Sequence, residues 1–163
     1  MTSRARKSGT GQHAERRDAD ALWPLASTRN KPRVKLVAAR NVVYVVDDDA
    51  GMLKGIERLL KANGFDAEVF DSAEAFHDRA NPCNGICVVL DVQLGGMSGI
   101  ELSRKLSQRG SVLPVIFITA NDNDTTRKAT RDVGCVAYLP KPFPAKSLID
   151  AIERASAQQH RLN

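Results

Sequence analysis

The sequence predicts an α/β fold, a doubly wound five-stranded parallel sheet, on three observations. Five short apolar runs alternate with helix-like stretches over about 120 residues. The central runs are apolar at every position, which suits strands covered on both faces. Four of the five runs end in residues with chemistry: Asp47-Asp48-Asp49, Asp91, Thr119 and Pro140-Lys141-Pro142. A parallel sheet gathers the carboxyl ends of its strands along one edge, where ligands bind.

Strand one is expected at Val42–Val46. Helix one follows over about 50–63, because Met52, Leu53, Ile56, Leu59 and Leu60 recur at spacings of three and four, and Gly64 supplies a stop. Asp49 is the acid chosen to cap it. Phe65–Phe70 alternates apolar and polar and reads as strand two. Asp71-Ser72-Ala73-Glu74 resembles a capping box and opens helix two, which ends before Asn81-Pro82. Strand three is Ile86–Leu90, followed by a loop containing Gly95, Gly96 and Gly99. Helix three carries Ile100, Leu102 and Leu106 and ends near Gly110. Strand four is placed at Val112–Thr119, with Pro114 tolerated near its start. Helix four, about 124–133, is mostly polar and is expected to be the least firmly packed. Strand five is Val136–Leu139, and helix five begins near Pro144 with Leu148, Ile149, Ile152 and Ala155 as its stripe. The pattern is (βα)5. Right-handed crossovers leave few arrangements, and the common flavodoxin-like order is 2-1-3-4-5, whose crevice between strands one and three is flanked by Asp48 and Asp91.

The net charge of +5 is unevenly distributed. Residues 1–40 hold 10 Lys/Arg against 3 Asp/Glu, and the rest hold 14 against 16. The leader therefore reads as a solvated, disordered segment whose one apolar island is Trp23-Pro24-Leu25. A basic arm of this kind touches nucleic acid only nonspecifically and with strong salt dependence, so specific DNA binding is not expected without a folded reader. No run approaches membrane-span length and no signal-peptide stretch is seen, so membrane association is not expected and a cytoplasmic location is. Cys83, Cys87 and Cys135 match no zinc spacing and read as reduced structural thiols.

Four segments, taken together and in order, resemble the response-regulator receiver family, with wording closest to the FixJ/NarL type. They are Val45-Val46-Asp47-Asp48-Asp49, the stretch from Leu90-Asp91 through Gly99, Ile118-Thr119-Ala120, and Tyr138-Leu139-Pro140-Lys141-Pro142-Phe143. The resemblance covers about residues 41–157, leaving 1–40 as leader and 158–163 as a C-terminal tail. It implies that Asp91 is the phosphoacceptor. It implies a Mg2+ site in which Asp48 binds directly, Asp47 acts through water, and Asp91 and the Gln93 carbonyl add oxygens. Thr119, the Ala120 backbone and Lys141 would hold the phosphoryl group. Tyr138 would move between outward and inward positions, and the Lys141–Pro142 peptide would be cis. The implied partners are a sensor histidine kinase or phosphotransfer protein upstream and an unidentified protein downstream, with homodimerisation on phosphorylation. A single-domain receiver is the expected form, acting as a signalling domain rather than an enzyme.

The chain departs from the family at Gly95, where the family usually has Pro; with Gly96 next to it, the loop is loosened. Two other readings compete. A haloacid-dehalogenase-type phosphatase would use Asp47 and Asp49 as an Asp-x-Asp, but Gly51 stands where that family has Thr or Val, and Asp91 is left without a role. A receiver that is never phosphorylated and only binds protein would not need the full acidic set.

Overall fold

A computed structural model describes residues 41–162; the basic leader, with Trp23-Pro24-Leu25, lies outside the described residues. The elements are β1 (Val42–Val46), α1 (Ala50–Ala62), β2 (Asp66–Phe70), α2 (Ala73–Arg79), a 3-10 turn at Pro82–Asn84, β3 (Gly85–Asp91), α3 (Gly99–Gln108), β4 (Val115–Thr119), α4 (Asp124–Asp132), β5 (Ala137–Pro140) and α5 (Ala145–Leu162). All strand pairs are parallel, in the order β2-β1-β3-β4-β5.

Two apolar layers explain why the strands carry no polar alternation. Successive strand residues face opposite ways. Val43, Val45, Cys87, Val89, Ile116 and Ile118 meet Ile56 and Leu60 of α1 and Leu148 and Ile152 of α5. Tyr44, Val46, Val88, Leu90 and Phe117 meet Phe76 of α2 and Leu102 and Leu106 of α3. Tyr44, Phe70 and Phe76 form tilted and edge-on ring contacts in the second layer, and the Tyr44 hydroxyl donates to the Asn81 carbonyl at 2.8 Å, so its polar end is satisfied. Cys87 sits fully buried in the first layer, and burial pushes its thiol up to about 12.

The helix ends follow their side chains. Asp49 caps α1 by accepting from the Gly51 and Met52 amides. Gly64, at φ +82°, turns the chain out of α1 in a conformation that favours glycine. Ser98 and Glu101 form a reciprocal capping box at the start of α3. Among the residues of α4 only Thr130 is buried, and its hydroxyl bonds back to the Thr126 and Arg127 carbonyls.

Three expectations are corrected. β4 begins at Val115, not Val112. Val112 is 72% exposed, and Pro114, lacking an N–H, contributes only its carbonyl to Val88 ahead of the ladder. Asp71–Glu74 is not a capping box. Ser72 is the cap, accepting from the Ala75 amide, so the box's acidic position falls on Ala75, and Glu74 reaches elsewhere. The stretch assigned to a tail is helical through Leu162, since α5 continues past its buried stripe.

Two substitutions check the packing. Leu148→Ala removes a fully buried side chain and should lower unfolding free energy by about 2–5 kcal/mol in urea titrations. Gly55→Ala adds a methyl where nothing lies within 4 Å, mid-helix, and should raise it by about 0.4–1 kcal/mol.

Candidate functional site

The site is built where β1, β3 and β5 end. Parallel register places Val46 beside Leu90, so Asp47, just past β1, and Asp91, the last residue of β3, stand side by side at the carboxyl edge of the sheet. β5 ends next to β4 at Thr119↔Pro140, and the Lys141 amide donates to the Thr119 carbonyl at 2.7 Å. The Lys141–Pro142 peptide is cis. From this position the Lys141 ammonium donates to Asp47 Oδ2 at 2.7 Å and to Asp91 Oδ2 at 3.1 Å. The lysine lies 94 residues from one partner and 50 from the other.

The three acids differ in environment. Asp47 is fully buried, and its other oxygen accepts the Asp49 amide at 2.9 Å. Asp91 is buried at 5% exposure, with Oδ1 accepting the Gln93 amide at 3.1 Å. Asp48 is exposed and forms no ion pair among the described residues. One carboxylate oxygen from each of Asp47, Asp48 and Asp91 lies within 4.8 Å of the others. An all-oxygen donor set with an open carboxylate fits a hard divalent cation such as Mg2+.

Charge in this cleft is not fully offset. Burial pushes the Asp91 carboxyl above its ordinary range, outweighing the Gln93 amide and Lys141, which draw it down, while Asp47 adds to the rise. Burial also pulls Lys141 downward, but its bonds to Asp47 and Asp91 together outweigh that, and the net shift is up. Lys141 is therefore a fixed cation at neutral pH, shared by two carboxylates.

Gly99 sets how closely α3 approaches this edge. A Cβ there would stand 2.1 Å from the Asp91 carbonyl oxygen, so only glycine lets the helix start directly beneath the acid. Thr119 is fully buried, and its hydroxyl is engaged with its own loop, donating to the Asn121 carbonyl at 3.3 Å and accepting the Asn121 amide at 3.1 Å. Ala120 follows it at the exposed strand end. Gln93 is exposed. Tyr138 is half-buried, and its hydroxyl donates to Asp122 Oδ1 at 3.1 Å. Arg127 grips both oxygens of Asp122, which holds that carboxyl below its ordinary range, and stands 5.8 Å from the Tyr138 ring centre.

Sequence reading missed Asp122, Arg127 and the true target of Glu74, whose Oε1 accepts the Met97 amide at 2.8 Å. The Tyr138–Asp122 and Glu74–Met97 pairs leave no local signal, because each forms only after separate elements come together, while Asp122–Arg127 is a local pair at the start of α4. A cavity of about 370 Å³, away from these acids, is lined by Phe76, His77, Pro82, Cys83, Leu106 and Arg109 among others, from the ends of α2 and α3 and the loops that follow them.

Comparison with known proteins adds the family context. Residues 43–153 match the response regulator receiver domain. The transcriptional regulatory protein TdiR of Thauera aromatica is 36% identical over 117 residues, which is 72% of this chain and 52% of TdiR. The transcriptional regulatory protein FixJ of Bradyrhizobium diazoefficiens is 35% identical over 116 residues, 71% of this chain and 57% of FixJ. Among solved structures, the response regulator StyR superposes with a TM-score of 0.67 at 40% identity, covering 74% of this chain and 63% of that one. The chain thus spans about half the length of the curated relatives it matches.

The raised Asp91 pKa has a definite sign. The folded protein keeps this proton to higher pH than the unfolded chain does, so ionised Asp91 opposes folding, and its penalty grows as pH rises from the ordinary value of 3.8 through the folded-state value. Without divalent ions, Asp91→Asn should be more stable than the wild type at about pH 7.5, with the gap closing as pH falls below 3.8. Urea titrations across that range measure it; a constant gap contradicts the assignment.

Proposed function

Because the chain belongs to the response regulator receiver family, we propose that it accepts a phosphoryl group on Asp91 and passes the signal on by changing shape. The observation that supports this best is the Lys141 ammonium shared by two buried carboxylates, beside a third that is open. Phosphoryl transfer asks the protein mainly for positioning and charge neutralisation. This cleft supplies a fixed cation, a carboxylate nucleophile and an oxygen-lined cation site.

An Asp91 carboxylate oxygen attacks phosphorus in line with the leaving group. The bond to phosphorus in the donor breaks, and its electron pair leaves with the histidine nitrogen of a sensor kinase or phosphotransfer protein, or with the carboxylate of a small acyl phosphate. The product on this chain is an aspartyl phosphate. Mg2+, held by Asp48 directly, by Asp47 through water and by Asp91 and the Gln93 carbonyl, would neutralise the phosphoryl oxygens. Lys141 pairs with one of those oxygens. Thr119 gives up its Asn121 partner and donates its hydroxyl to another, next to the Ala120 backbone. That exchange biases Tyr138, whose present partner Asp122 is on the same loop. The α4–β5–α5 face is the output surface, available to a downstream protein or to a second copy of the chain. TdiR and FixJ are transcriptional regulators, and by likeness to them the pathway of this chain ends in a transcriptional output.

An acyl phosphate donor with Mg2+ should label Asp91, as read by mass spectrometry after reduction of the acyl phosphate. Chelation of the metal or Asp91→Asn should abolish labelling, and Lys141→Ala should slow it by about 10²-fold. Labelling of Asp47 would instead favour phosphatase-type chemistry, and no labelling would leave a protein-binding receiver.

A further inference from the structure

The loop joining β3 to α3 borders the candidate cation site directly: a Cβ on Gly95 would lie 3.9 Å from Asp48 Oδ2. It is tied at its start by the Gln93 amide on Asp91, and at its end by the Gly99 amide on the Val92 carbonyl and the Ser98–Glu101 capping box. Between these ties, Leu94, Gly95 and Gly96 have no backbone hydrogen bond among the described residues. Two consecutive glycines give such a stretch the largest conformational freedom a chain can have. One contact enters from outside the loop. Glu74, in the first turn of α2, accepts the Met97 amide 23 residues later at 2.8 Å.

The fit of this contact depends on Gly96. A Cβ there would lie 2.8 Å from Glu74 Oε1 and 3.3 Å from its carboxyl carbon, so the missing side chain is what lets the carboxylate reach the backbone. Ser72 accepts the Ala75 amide at the start of α2, and the Glu74 carboxylate accepts the Met97 amide besides its own. The Met97 amide is the first cause of Glu74's depressed pKa, so the carboxylate is charged at neutral pH and the bond is of the stronger, charge-assisted kind. Leu94 and Met97 pack on the α2–α3 side of the core and anchor the loop's apolar side chains. Glu74 anchors its backbone.

We propose that Glu74 is a positioning residue that holds the Gly95-Gly96 loop, and with it the Gln93 carbonyl, in register with Asp48 and Asp91. The inference rests on the phosphoacceptor reading for its function, but its structural part stands separately. Glu74 touches neither Asp91 nor the cation; it acts by restricting the backbone that carries one of the oxygens.

The test uses Glu74→Ala and Glu74→Gln in the full chain, with three readouts. These are amide relaxation of residues 94–97 by NMR, Mg2+ affinity by calorimetry with the metal alone, and urea stability. Glu74→Ala should mobilise the Gly95 and Gly96 amides and weaken Mg2+ binding by about five-fold, with global stability nearly unchanged because Glu74 is exposed. Glu74→Gln, whose amide oxygen still accepts, should recover affinity to within about two-fold of the wild type. In a Gly95→Pro background, where the ring stiffens the same backbone, Glu74→Ala should change affinity by less than about two-fold. Loop amides as rigid in Glu74→Ala as in the wild type would overturn the proposal, as would a full-sized effect in the Gly95→Pro background. A wild type that binds no Mg2+ would sink the phosphoacceptor reading instead, and the NMR result would still judge Glu74.

Discussion

The Lys141 ammonium is the tie on which the functional edge depends. It joins β5 to the ends of β1 and β3 through two carboxylates that burial would otherwise oppose. Taking a charge out of water is costly, and two like charges in one cleft more so. An acid that burial keeps above its ordinary range is one the fold has not fully stabilised.

The sheet was legible because its strands are covered on both faces. Val42–Val46 and Ile86–Leu90 carry no polar residue, since Val43 and Val45 serve one layer while Tyr44 and Val46 serve the other. Right-handed crossovers left few strand orders, of which 2-1-3-4-5 is the common one, and the strand-end acids, Thr119 and Lys141 stood out as the residues that close the apolar runs. Strand four's true start was hidden because Val112-Leu113 reads as strand by composition, while the backbone there is committed before Pro114. Glu74 misled for a related reason. Its spacing from Asp71 suits a cap, yet Ser72 holds that position, and the carboxylate's real partner is 23 residues downstream. Asp122 and Arg127 meet Tyr138 only once β4 and β5 are paired. Local patterns report what one element does alone, and contacts between distant elements leave no mark on them.

Thr119 and Tyr138 share one short connection. Asn121 satisfies the Thr119 hydroxyl, and the next residue, Asp122, holds the Tyr138 hydroxyl. The two partners are thus consecutive residues of that connection. The Asp122–Arg127 pair adds a restraint with its own charge, so Tyr138 is held by more than its packing.

The sparse underside of α4 has a consequence for how such a chain diversifies. With Thr130 its sole buried residue, the helix supplies almost nothing to the interior, and its outward positions can change without loosening the sheet. Substitutions can therefore accumulate on this segment while the buried acids and Lys141, fixed at the ends of β1, β3 and β5, stay under strict constraint.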